Sequence, residues 1–239
     1  MLKLAVSGAR GRMGQTIIKL ALADKKNFRL ATLLEHKNHP DANIKINGVA
    51  ISTDNHALKS SDVLIEFTLP EGTMENLAAA VKHNVKMVIG TTGLSEAQIK
   101  KIKAASAKIP IVFASNMSIG VNVLFKLIQV AGAALGPSAI TITETHHIHK
   151  KDKPSGTAKT MAQLAEKASG IKISSIDAIR KGEVVGDHDI TFDTPEDILT
   201  ISHHAKDRSM FAKGALTAAL FLKNKKKGLF NMQDVLGLK

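Results

Sequence analysis

The sequence predicts an α/β protein, in which an amino-terminal, doubly wound parallel sheet is followed by a second α+β domain on a mixed or antiparallel sheet. Three observations indicate this class. Short apolar runs alternate with helical patterns in the first half, a glycine-rich loop follows the first run, and the pattern changes after Ile119. Strand–helix alternation of this kind is typical of βαβ units with right-handed crossovers.

The apolar runs of the first half are brief and bounded by Gly, Asp or Pro, as buried strands are. They cover residues 2–6, 28–34, 62–67, 85–89 and 111–114. Helical patterns are found at residues 12–23, 73–83 and 96–107. Ser95 precedes the last of these helices and Gln98 lies three positions on, which predicts a capping box.

The second half begins with a long apolar helix, predicted at residues 121–135 and ended by a Gly-Pro pair. The stretch "AITITETHHI" alternates like a strand, and a helix is predicted at residues 157–168. Runs between residues 173 and 205 are typical of antiparallel strands with one solvated face. A final helix is predicted at residues 210–223.

These patterns indicate two domains. We expect a dinucleotide-binding domain over residues 1–117 and a second domain over residues 118–207. The carboxy-terminal helix and tail, residues 208–239, are expected to return to the first domain.

The composition excludes several classes of function. The formal net charge of +12 suggests nucleic-acid binding, but aromatic residues make up only 3% of the chain and the lysines are scattered. We therefore expect no nucleic-acid partner. No apolar run approaches the ~20 residues of a membrane span, no secretory leader pattern opens the sequence, and Cys is absent. We expect a cytoplasmic protein without a membrane partner.

The glycine-rich loop, "SGARGRMG", places Gly8, Gly11 and Gly14 between the first strand and the first helix. Glycines at such a turn let backbone N–H groups approach a pyrophosphate at the helix start. Glu35, at the end of the second strand, lies where a carboxylate would hold the ribose hydroxyls. A tight turn alone would also explain the glycines, but the order of strand, loop, helix, strand and acid favours a Rossmann-type cofactor site.

Basic residues near this loop bear on which cofactor binds. Arg10 and Arg12 are positioned to pair with phosphates, and His36 and Lys37 follow Glu35, where a 2′-phosphate would lie. An exposed turn is the alternative for the last two. We expect NADH and/or NADPH, with "IGTTG" and "ASNMS" after two further strands presenting amides and hydroxyls to the nicotinamide half.

The stretch "ETHHIHKKDKPSGTAKT" combines three histidines with lysines before a helix start. Ser155, Gly156 and Thr157 are expected to expose N–H groups there, which suits a carboxylate. His146 and Lys150 are candidates for proton transfer, since imidazole titrates near neutrality.

Other interpretations apply to the remaining histidines. His149 is expected in a loop, and His203 and His204 in a strand and its flank. A zinc site is disfavoured, because cysteine is absent and neighbouring lysines would repel a cation, so we expect no metal.

The motif "ETHHIHKKDKPSGTA" closely resembles the signature of the 4-hydroxy-tetrahydrodipicolinate reductase (dihydrodipicolinate reductase) family of the diaminopimelate route to lysine. Further resemblances are "SGARGRMG", "FTLPEGT", "VIGTTG", "FASNMSIGVN" and "GLFNMQDVL", in order along nearly the whole chain. The resemblance implies reduction of a cyclic dicarboxylate by NADH or NADPH, without a metal, in a homotetramer formed through the second domain. Many members have Arg where this chain has His36, which weakens the expectation of an NADPH preference.

The resemblance also implies roles for individual residues. His146 matches the proton donor/acceptor and Lys150 the proton donor, and the positions matching substrate contacts are His147, Lys150, Ser155, Gly156 and Thr157. The positions that match or adjoin cofactor contacts are Gly8, Ala9, Arg10, Gly11, Arg12, Met13, Glu35, His36, Gly90, Thr91, Thr92, Ala114, Ser115, Asn116 and Met117. Alternatives are another dinucleotide-dependent dehydrogenase of a small carboxylic acid, or a non-enzymatic cofactor-binding protein.

Overall fold

The structure, a computed structural model, describes residues 1–238, so Lys239 at the end of the predicted tail lies outside the described residues. The chain divides into two compact units. Unit 1 comprises Met1–Met117 and Phe211–Gly237, and unit 2 comprises Ser118–Met210.

The strands and helices, numbered in chain order, are as follows. The strands are β1 (Leu2–Ser7), β2 (Phe28–Leu34), β3 (Lys45–Ile46), β4 (Val49–Ser52), β5 (Val63–Glu66), β6 (Lys86–Ile89), β7 (Pro110–Phe113), β8 (Ala139–His146), β9 (Ser175–Arg180), β10 (Asp187–Asp193), β11 (Ile198–His204) and β12 (Gly228–Phe230). The helices are α1 (Arg12–Ala23), α2 (Pro70–His83), α3 (Glu96–Ala105), α4 (Ile119–Ala134), α5 (Gly156–Ser169), α6 (Ser209–Phe221) and α7 (Met232–Leu236). Two short 3₁₀ helices, Asn55–Ser60 and Leu222–Asn224, complete the set.

Unit 1 is built on an eight-stranded sheet with the order β12-β7-β6-β5-β1-β2-β4-β3. All of its pairings are parallel except that of β3 with β4. The strand order reverses direction beside β1, which is the arrangement of a doubly wound sheet. The predicted fold class is therefore confirmed.

Helices cover both faces of this sheet. Successive side chains of a strand point to opposite faces, so a single strand contributes residues to both cores. On β1, Leu4 and Val6 belong to the core that contains α1 and α6, whereas Ala5 belongs to the core that contains Leu77 of α2 and Ile102 of α3. Strands buried on both sides need the near-continuous apolar runs that the sequence shows.

Unit 2 has a four-stranded sheet in the order β11-β10-β8-β9. The strand β10 pairs antiparallel with both neighbours, but β9 pairs parallel to β8. The strand-like run before residue 180 was predicted to be antiparallel, and this prediction was wrong. The reason is that α5 lies between β8 and β9 in the chain and provides the crossover that a parallel pair requires.

One face of the second sheet is packed against α4 and α5. Ile140 and Ile142 of β8 and Ile190 and Phe192 of β10 form this apolar layer. Because side chains alternate along a strand, the same face continues into Glu144, His146 and His188, all of which are buried. The fold thus directs polar residues into the covered side of a sheet.

Most predicted elements are confirmed, and α1 and β2 have the predicted bounds. The capping box of Ser95 and Gln98 is present. The helix α2 begins at Pro70 instead of residue 73, because a proline fits the first helical turn. The elements β3, β4, β12 and α7 were not predicted from the sequence.

Within residues 1–238, no helix combines the length and the apolar character needed to cross a bilayer.

Gly214 of α6 provides a test of the packing in unit 1. A Cβ atom at this position would lie 1.7 Å from the backbone oxygen of Met117. Gly214→Ala should therefore lower the free energy of unfolding by roughly 1–3 kcal/mol, despite the better helix propensity of alanine. Chemical denaturation measures this difference.

A matched control is Gly136→Ala, where an added Cβ would meet no described atom within 4 Å. Equal loss of stability in the two variants, or none in Gly214→Ala, would contradict the packing described for α6.

Candidate active site

The glycine loop of unit 1 is folded tightly against the start of α1. Gly8 has a φ of +63°, a conformation that favours glycine. A Cβ on Gly14 would lie 2.0 Å from the carbonyl oxygen of Gly8, so the loop and the helix can approach only with glycine there. The helix begins at Arg12 with Gly11 at its N-cap position, and no described side chain caps it, which leaves its first N–H groups for an anion.

A cavity of about 640 Å³ opens beside this loop. The predicted cofactor residues that line it are Gly8, Arg10, Gly11, Arg12, Met13, Glu35 and His36. Leu34, Phe67 and Leu69 add apolar surface. A glycine cradle, an uncapped helix start and a carboxylate at the end of β2 are what a dinucleotide requires, so these residues fit that cofactor.

Glu35 and Arg10 already make contacts at this site. One oxygen of Glu35 accepts a hydrogen bond from the backbone N–H of Arg10, at 2.7 Å. The guanidinium of Arg10 pairs with Asp41. The N–H of Ala9 donates to the carbonyl of Leu34, so buried Ala9 supports the loop and does not line the cavity.

The other predicted cofactor residues follow the carboxyl ends of two adjacent strands, outside this cavity. Gly90, Thr91 and Thr92 come after β6, and Ala114, Ser115, Asn116 and Met117 come after β7. A Cβ on Gly90 would lie 2.3 Å from the ring of Phe67, and Thr91 accepts a hydrogen bond from Thr73 at 2.8 Å. These segments are closely packed at the sheet edge where ligands bind in such folds.

Sequence analysis missed a buried carboxylate in unit 1, that of Glu66 at the end of β5. Burial raises its pKa above the ordinary value, against hydrogen bonds from Thr68 and Asn76. Asn76 also lines the cavity. The signal in the sequence was an acid inside the apolar run "VLIEF", which was interpreted only as a strand.

In unit 2, the candidate proton-transfer residue His146 is the last residue of β8 and is buried. Its Nδ1 contacts a carboxylate oxygen of Glu144, which lies two positions earlier on the same face. Because a carboxylate accepts hydrogen bonds, Nδ1 carries the proton, and Nε2 is the nitrogen left for chemistry.

Glu144 is fully buried and accepts three hydrogen bonds. Besides His146, the donors are the guanidinium of Arg180, at 3.0 Å, and the backbone N–H of Ser155, at 3.1 Å. The sequence led us to expect a free N–H at Ser155, but this N–H is bonded to Glu144, so that expectation was wrong. The hydroxyl of Ser155 instead caps α5 by accepting from the N–H of Ala158, so the helix begins at Gly156 and not at Thr157.

These contacts determine the protonation states. Burial would raise the pKa of Glu144, but the hydrogen bonds from Arg180, His146 and Ser155 together hold that pKa below its ordinary value. Burial lowers the pKa of His146, and the charge of Glu144 offsets this only in part. Glu144 is therefore a carboxylate at neutral pH, and His146 is mostly neutral.

Lys150 lies in the loop after β8, where its ammonium pairs with Asp152 at 2.7 Å. Burial would raise the pKa of Asp152, but the Lys150 charge and hydrogen bonds from Lys150 and the Gly156 backbone hold it below the ordinary value. The carboxylate of Asp152 thus lies between the Lys150 ammonium and the start of α5. The predicted anion site is therefore able to hold one.

The structure brings most of the predicted substrate residues into unit 2 around this loop. Ser155, Gly156 and Thr157 form the first turn of α5, and His147 begins the loop, where its ring lies 6.0 Å from that of His149. A Cβ on Gly156 would meet no described atom within 4 Å, so this turn is open on one side.

His188 was not identified from the sequence. It lies on β10, with its ring 5.0 Å from that of His146 and its Nε2 3.4 Å from the Ser155 hydroxyl. Burial, followed by the charge of His146, lowers the pKa of His188 to about 4. Alternation along "DHDITFD" puts His188 on the same face as Ile190, but nothing local in the sequence shows that β10 pairs with β8, which sets His188 opposite Glu144 and beside His146.

Glu144, His146 and His188 each offer a ligand atom within 4.8 Å of the others, a grouping that could suit a metal. The guanidinium of Arg180 is bonded to the same carboxylate, and a second cation there would be repelled. The expectation of no metal stays a prediction.

The buried His188 provides a test based on pH. Below pH 6.5, the ordinary pKa of a histidine, the unfolded chain binds a proton at this position, whereas in the folded protein the pKa of His188 is about 4. Stability is complete above pH 6.5 and falls with pH through this interval, by up to about 3 kcal/mol from this group.

His188→Gln should therefore weaken the decline in the free energy of unfolding between pH 7 and pH 5. His149→Gln is the matched control, because His149 lies in an exposed loop. Identical pH dependence in the wild-type protein and His188→Gln would exclude this role of His188.

Comparison with known proteins identifies the family. Residues 2–117 match the family described as dihydrodipicolinate reductase, N-terminus, and residues 120–236 match dihydrodipicolinate reductase, C-terminus. A 4-hydroxy-tetrahydrodipicolinate reductase of Polynucleobacter necessarius is 42% identical, and the match covers 100% of both chains. One from Nitrosomonas eutropha is 42% identical, with 100% of this chain and 99% of that one covered.

A solved structure shows the same fold. It is a dipicolinate-bound dihydrodipicolinate reductase from Paenisporosarcina sp. TG-14, with a TM-score of 0.84, 24% identity and 98% of each chain covered. The glycine cradle of unit 1, the histidine and lysine motif of unit 2 and these full-length matches agree: the chain belongs to the dihydrodipicolinate reductase family.

Proposed function

We propose that this protein reduces 4-hydroxy-tetrahydrodipicolinate to tetrahydrodipicolinate, with loss of water, using NADH or NADPH. The observation that carries the proposal is the cluster in unit 2. The imidazole of His146 is bonded to Glu144 through Nδ1. In the same motif, the ammonium of Lys150 and the start of α5 together hold the carboxylate of Asp152. The relatives that match the whole chain carry the name of this activity.

The chemistry assigned to unit 2 follows from these groups. His146, through Nε2, serves as proton donor and acceptor, and Lys150 serves as proton donor. The cofactor, when bound, supplies the hydride. A neutral histidine whose orientation is fixed can exchange a proton near pH 7, and acid–base catalysis of this kind contributes about 10²–10⁴-fold in rate.

The substrate's carboxylates are proposed to bind at the start of α5 and on the neighbouring basic side chains. The proposed binding residues are His147, Lys150, Gly156 and Thr157, with Ser155 as the cap of α5 whose N–H is bonded to Glu144. A carboxylate near a helix start gains typically ~0.3–1 kcal/mol, and an ammonium adds a charge-assisted hydrogen bond. The substrate competes with Asp152 for Lys150, since Asp152 is the carboxylate that contacts this ammonium.

The cofactor is proposed to bind unit 1, with its pyrophosphate at the glycine loop and its adenine ribose at Glu35. The residues proposed to hold it are Gly8 to Met13, Glu35, His36, Gly90 to Thr92 and Ala114 to Met117. Correct placement of two reactants accounts for about 7–11 kcal/mol of barrier in favourable cases. Positioning is therefore expected to contribute more than proton transfer.

We propose a homotetramer, as the family resemblance implies. The face of the second sheet opposite α4 and α5 carries residues such as Thr141, Thr143, Asp189 and Thr191, which are only partly buried within the single chain. A partner of the same kind would cover this polar face.

His146→Gln tests the reaction directly. Oxidation of NADH or NADPH is followed with substrate prepared from pyruvate and aspartate semialdehyde. The variant should lose about 10²–10⁴-fold in kcat with unchanged cofactor affinity, because the proton-transfer nitrogen is removed while unit 1 is untouched. His149→Gln, in the neighbouring loop, should keep wild-type kcat. A wild-type protein without turnover on this substrate would refute the proposed function.

Asp41→Asn tests the choice of cofactor. Asp41 pairs with Arg10 near Glu35, and both its charge and its contact oppose binding of a 2′-phosphate by Arg10. The variant should bind NADPH about two- to fivefold more tightly, the size expected for an exposed ion pair, with NADH affinity unchanged. Glu196→Gln makes the same change in net charge in unit 2 and should alter neither affinity. An equal shift for both cofactors would contradict this account of Asp41.

A further inference from the structure

Arg180, which was not selected from the sequence, contacts both the buried carboxylate and the loop of the unit 2 site. It is the last residue of β9 and lies opposite His146 in the register of β8 and β9. Its side chain is largely buried, although arginine is usually exposed. Burying a cation costs free energy of desolvation unless hydrogen-bond acceptors or an opposite charge compensate for it. The groups that compensate for Arg180 indicate its role.

Apart from a hydrogen bond from Nη1 to the carbonyl of the preceding Ile179, the guanidinium donates in two directions. Toward β8, Nη2 donates to Oε1 of Glu144 at 3.0 Å, and the other oxygen of that carboxylate contacts Nδ1 of His146. Toward the loop, Nη2 donates to the carbonyl of Asp152 at 2.6 Å, and Nε to the carbonyl of Lys150 at 3.3 Å. One planar group thus connects the carboxylate that orients His146 with the backbone that carries Lys150.

The loop has few other attachments of this kind. The N–H of Ile148 donates to the carbonyl of Gly182 at 3.1 Å, and the N–H of Lys150 donates to the carbonyl of His147 at 3.1 Å. Between Lys150 and the start of α5, the described carbonyls that receive a side-chain hydrogen bond are those of Lys150 and Asp152, both from Arg180. Arg180 therefore holds the backbone on both sides of Lys151, and with it the backbone that carries the Lys150 side chain.

The charge of Arg180 also acts on His146. Glu144 has no exposed surface, so without Arg180 its negative charge would face His146 uncompensated. The charge of Arg180 lowers the pKa of His146, whereas that of Glu144 raises it. Removal of Arg180 should therefore make His146 bind its proton more tightly.

We propose that Arg180 is a positioning residue that fixes His146 and Lys150 relative to each other, through Glu144 on one side and through the Lys150 and Asp152 carbonyls on the other. This inference rests on the proposed function for the roles of His146 and Lys150. Nothing in the local sequence "AIRKGE" indicates it, because each partner lies about 30 residues away in the chain.

Two substitutions separate the shape of the guanidinium from its charge. Arg180→Lys keeps the charge but cannot donate to both Glu144 and the loop in the same fork. Arg180→Met removes both. Lys181→Met is the matched control: it removes an exposed cation from the adjacent position, while the hydrogen bond from its backbone N–H to the His146 carbonyl is retained.

The expected results differ among these variants. Arg180→Lys should lower kcat about 10- to 100-fold, as loss of a residue that orients a functional histidine does, with the pH at which His146 titrates nearly unchanged. Arg180→Met should lower kcat at least as much and also move that titration to higher pH. NADH affinity should stay at the wild-type value in both, because the cofactor is proposed to bind unit 1. Lys181→Met should resemble the wild type.

An NMR titration makes the test independent of turnover, and a double variant makes it independent of a folding defect. The titration of His146 is followed by NMR in cofactor-free protein and assigned by comparison with His146→Gln. Should Arg180→Met fail to fold, the pair Glu144→Gln/Arg180→Met removes both buried charges together and should restore folding but not kcat, since a matched neutral pair costs far less than a lone charge.

Wild-type kcat and an unshifted His146 titration in folded Arg180→Lys and Arg180→Met would overturn the proposal. Restoration of kcat in the double variant would do so as well. A wild-type protein that does not reduce the substrate would instead refute the proposed function, and the NMR titration would still test the link between Arg180 and His146.

Discussion

The unit 2 site depends on one interaction, the buried carboxylate of Glu144 with its three donors. It meets the imidazole of His146, the guanidinium of Arg180 and the N–H of Ser155 at the start of α5. A buried carboxylate that lacks hydrogen-bond donors would cost several kcal/mol of folding free energy. Moving any of the three donors away from Glu144 would therefore destabilise the folded protein. The carboxylate therefore fixes the strand end, the neighbouring strand and the helix start with respect to one another.

The electrostatics of this cluster explain how a strongly basic chain keeps a neutral histidine in its proposed site. Burial lowers the pKa of both His146 and His188, and the charge of Lys150 lowers them further. Glu144 opposes this effect for both histidines without overcoming it. His188 stays neutral beside His146, so the cluster gains no second imidazolium. In the proposed reaction, proton transfer is thereby confined to His146 and its Nε2.

Sequence reasoning reached the elements that local pattern determines. The apolar runs of β1 and β2, the start of α1 and the helix start after Pro154 all follow from short-range chemistry. Alternation along β8 also places Glu144 and His146 on one face, although only the histidine was selected. The extent of the cofactor cavity beyond the glycine loop, at Phe67 and Leu69, was not foreseen, because those residues belong to a different βα connection.

What the sequence did not show depends on contacts between distant segments. Arg180 reaches Glu144 because β9 pairs parallel to β8, whereas its strand pattern was interpreted as antiparallel. His188 meets His146 through the register of β10 with β8, which no local pattern determines. Likewise, the short strand β12 forms only because β7 offers an edge.

The most direct measurement is a crystal structure of this protein with pyridine-2,6-dicarboxylate and a nicotinamide cofactor. We expect one carboxylate of the ring to accept hydrogen bonds from the first turn of α5, and Nε2 of His146 to face the ring while Nδ1 remains on Glu144. A ring bound away from that turn, or a His146 turned so that Nε2 meets Glu144, would contradict the account.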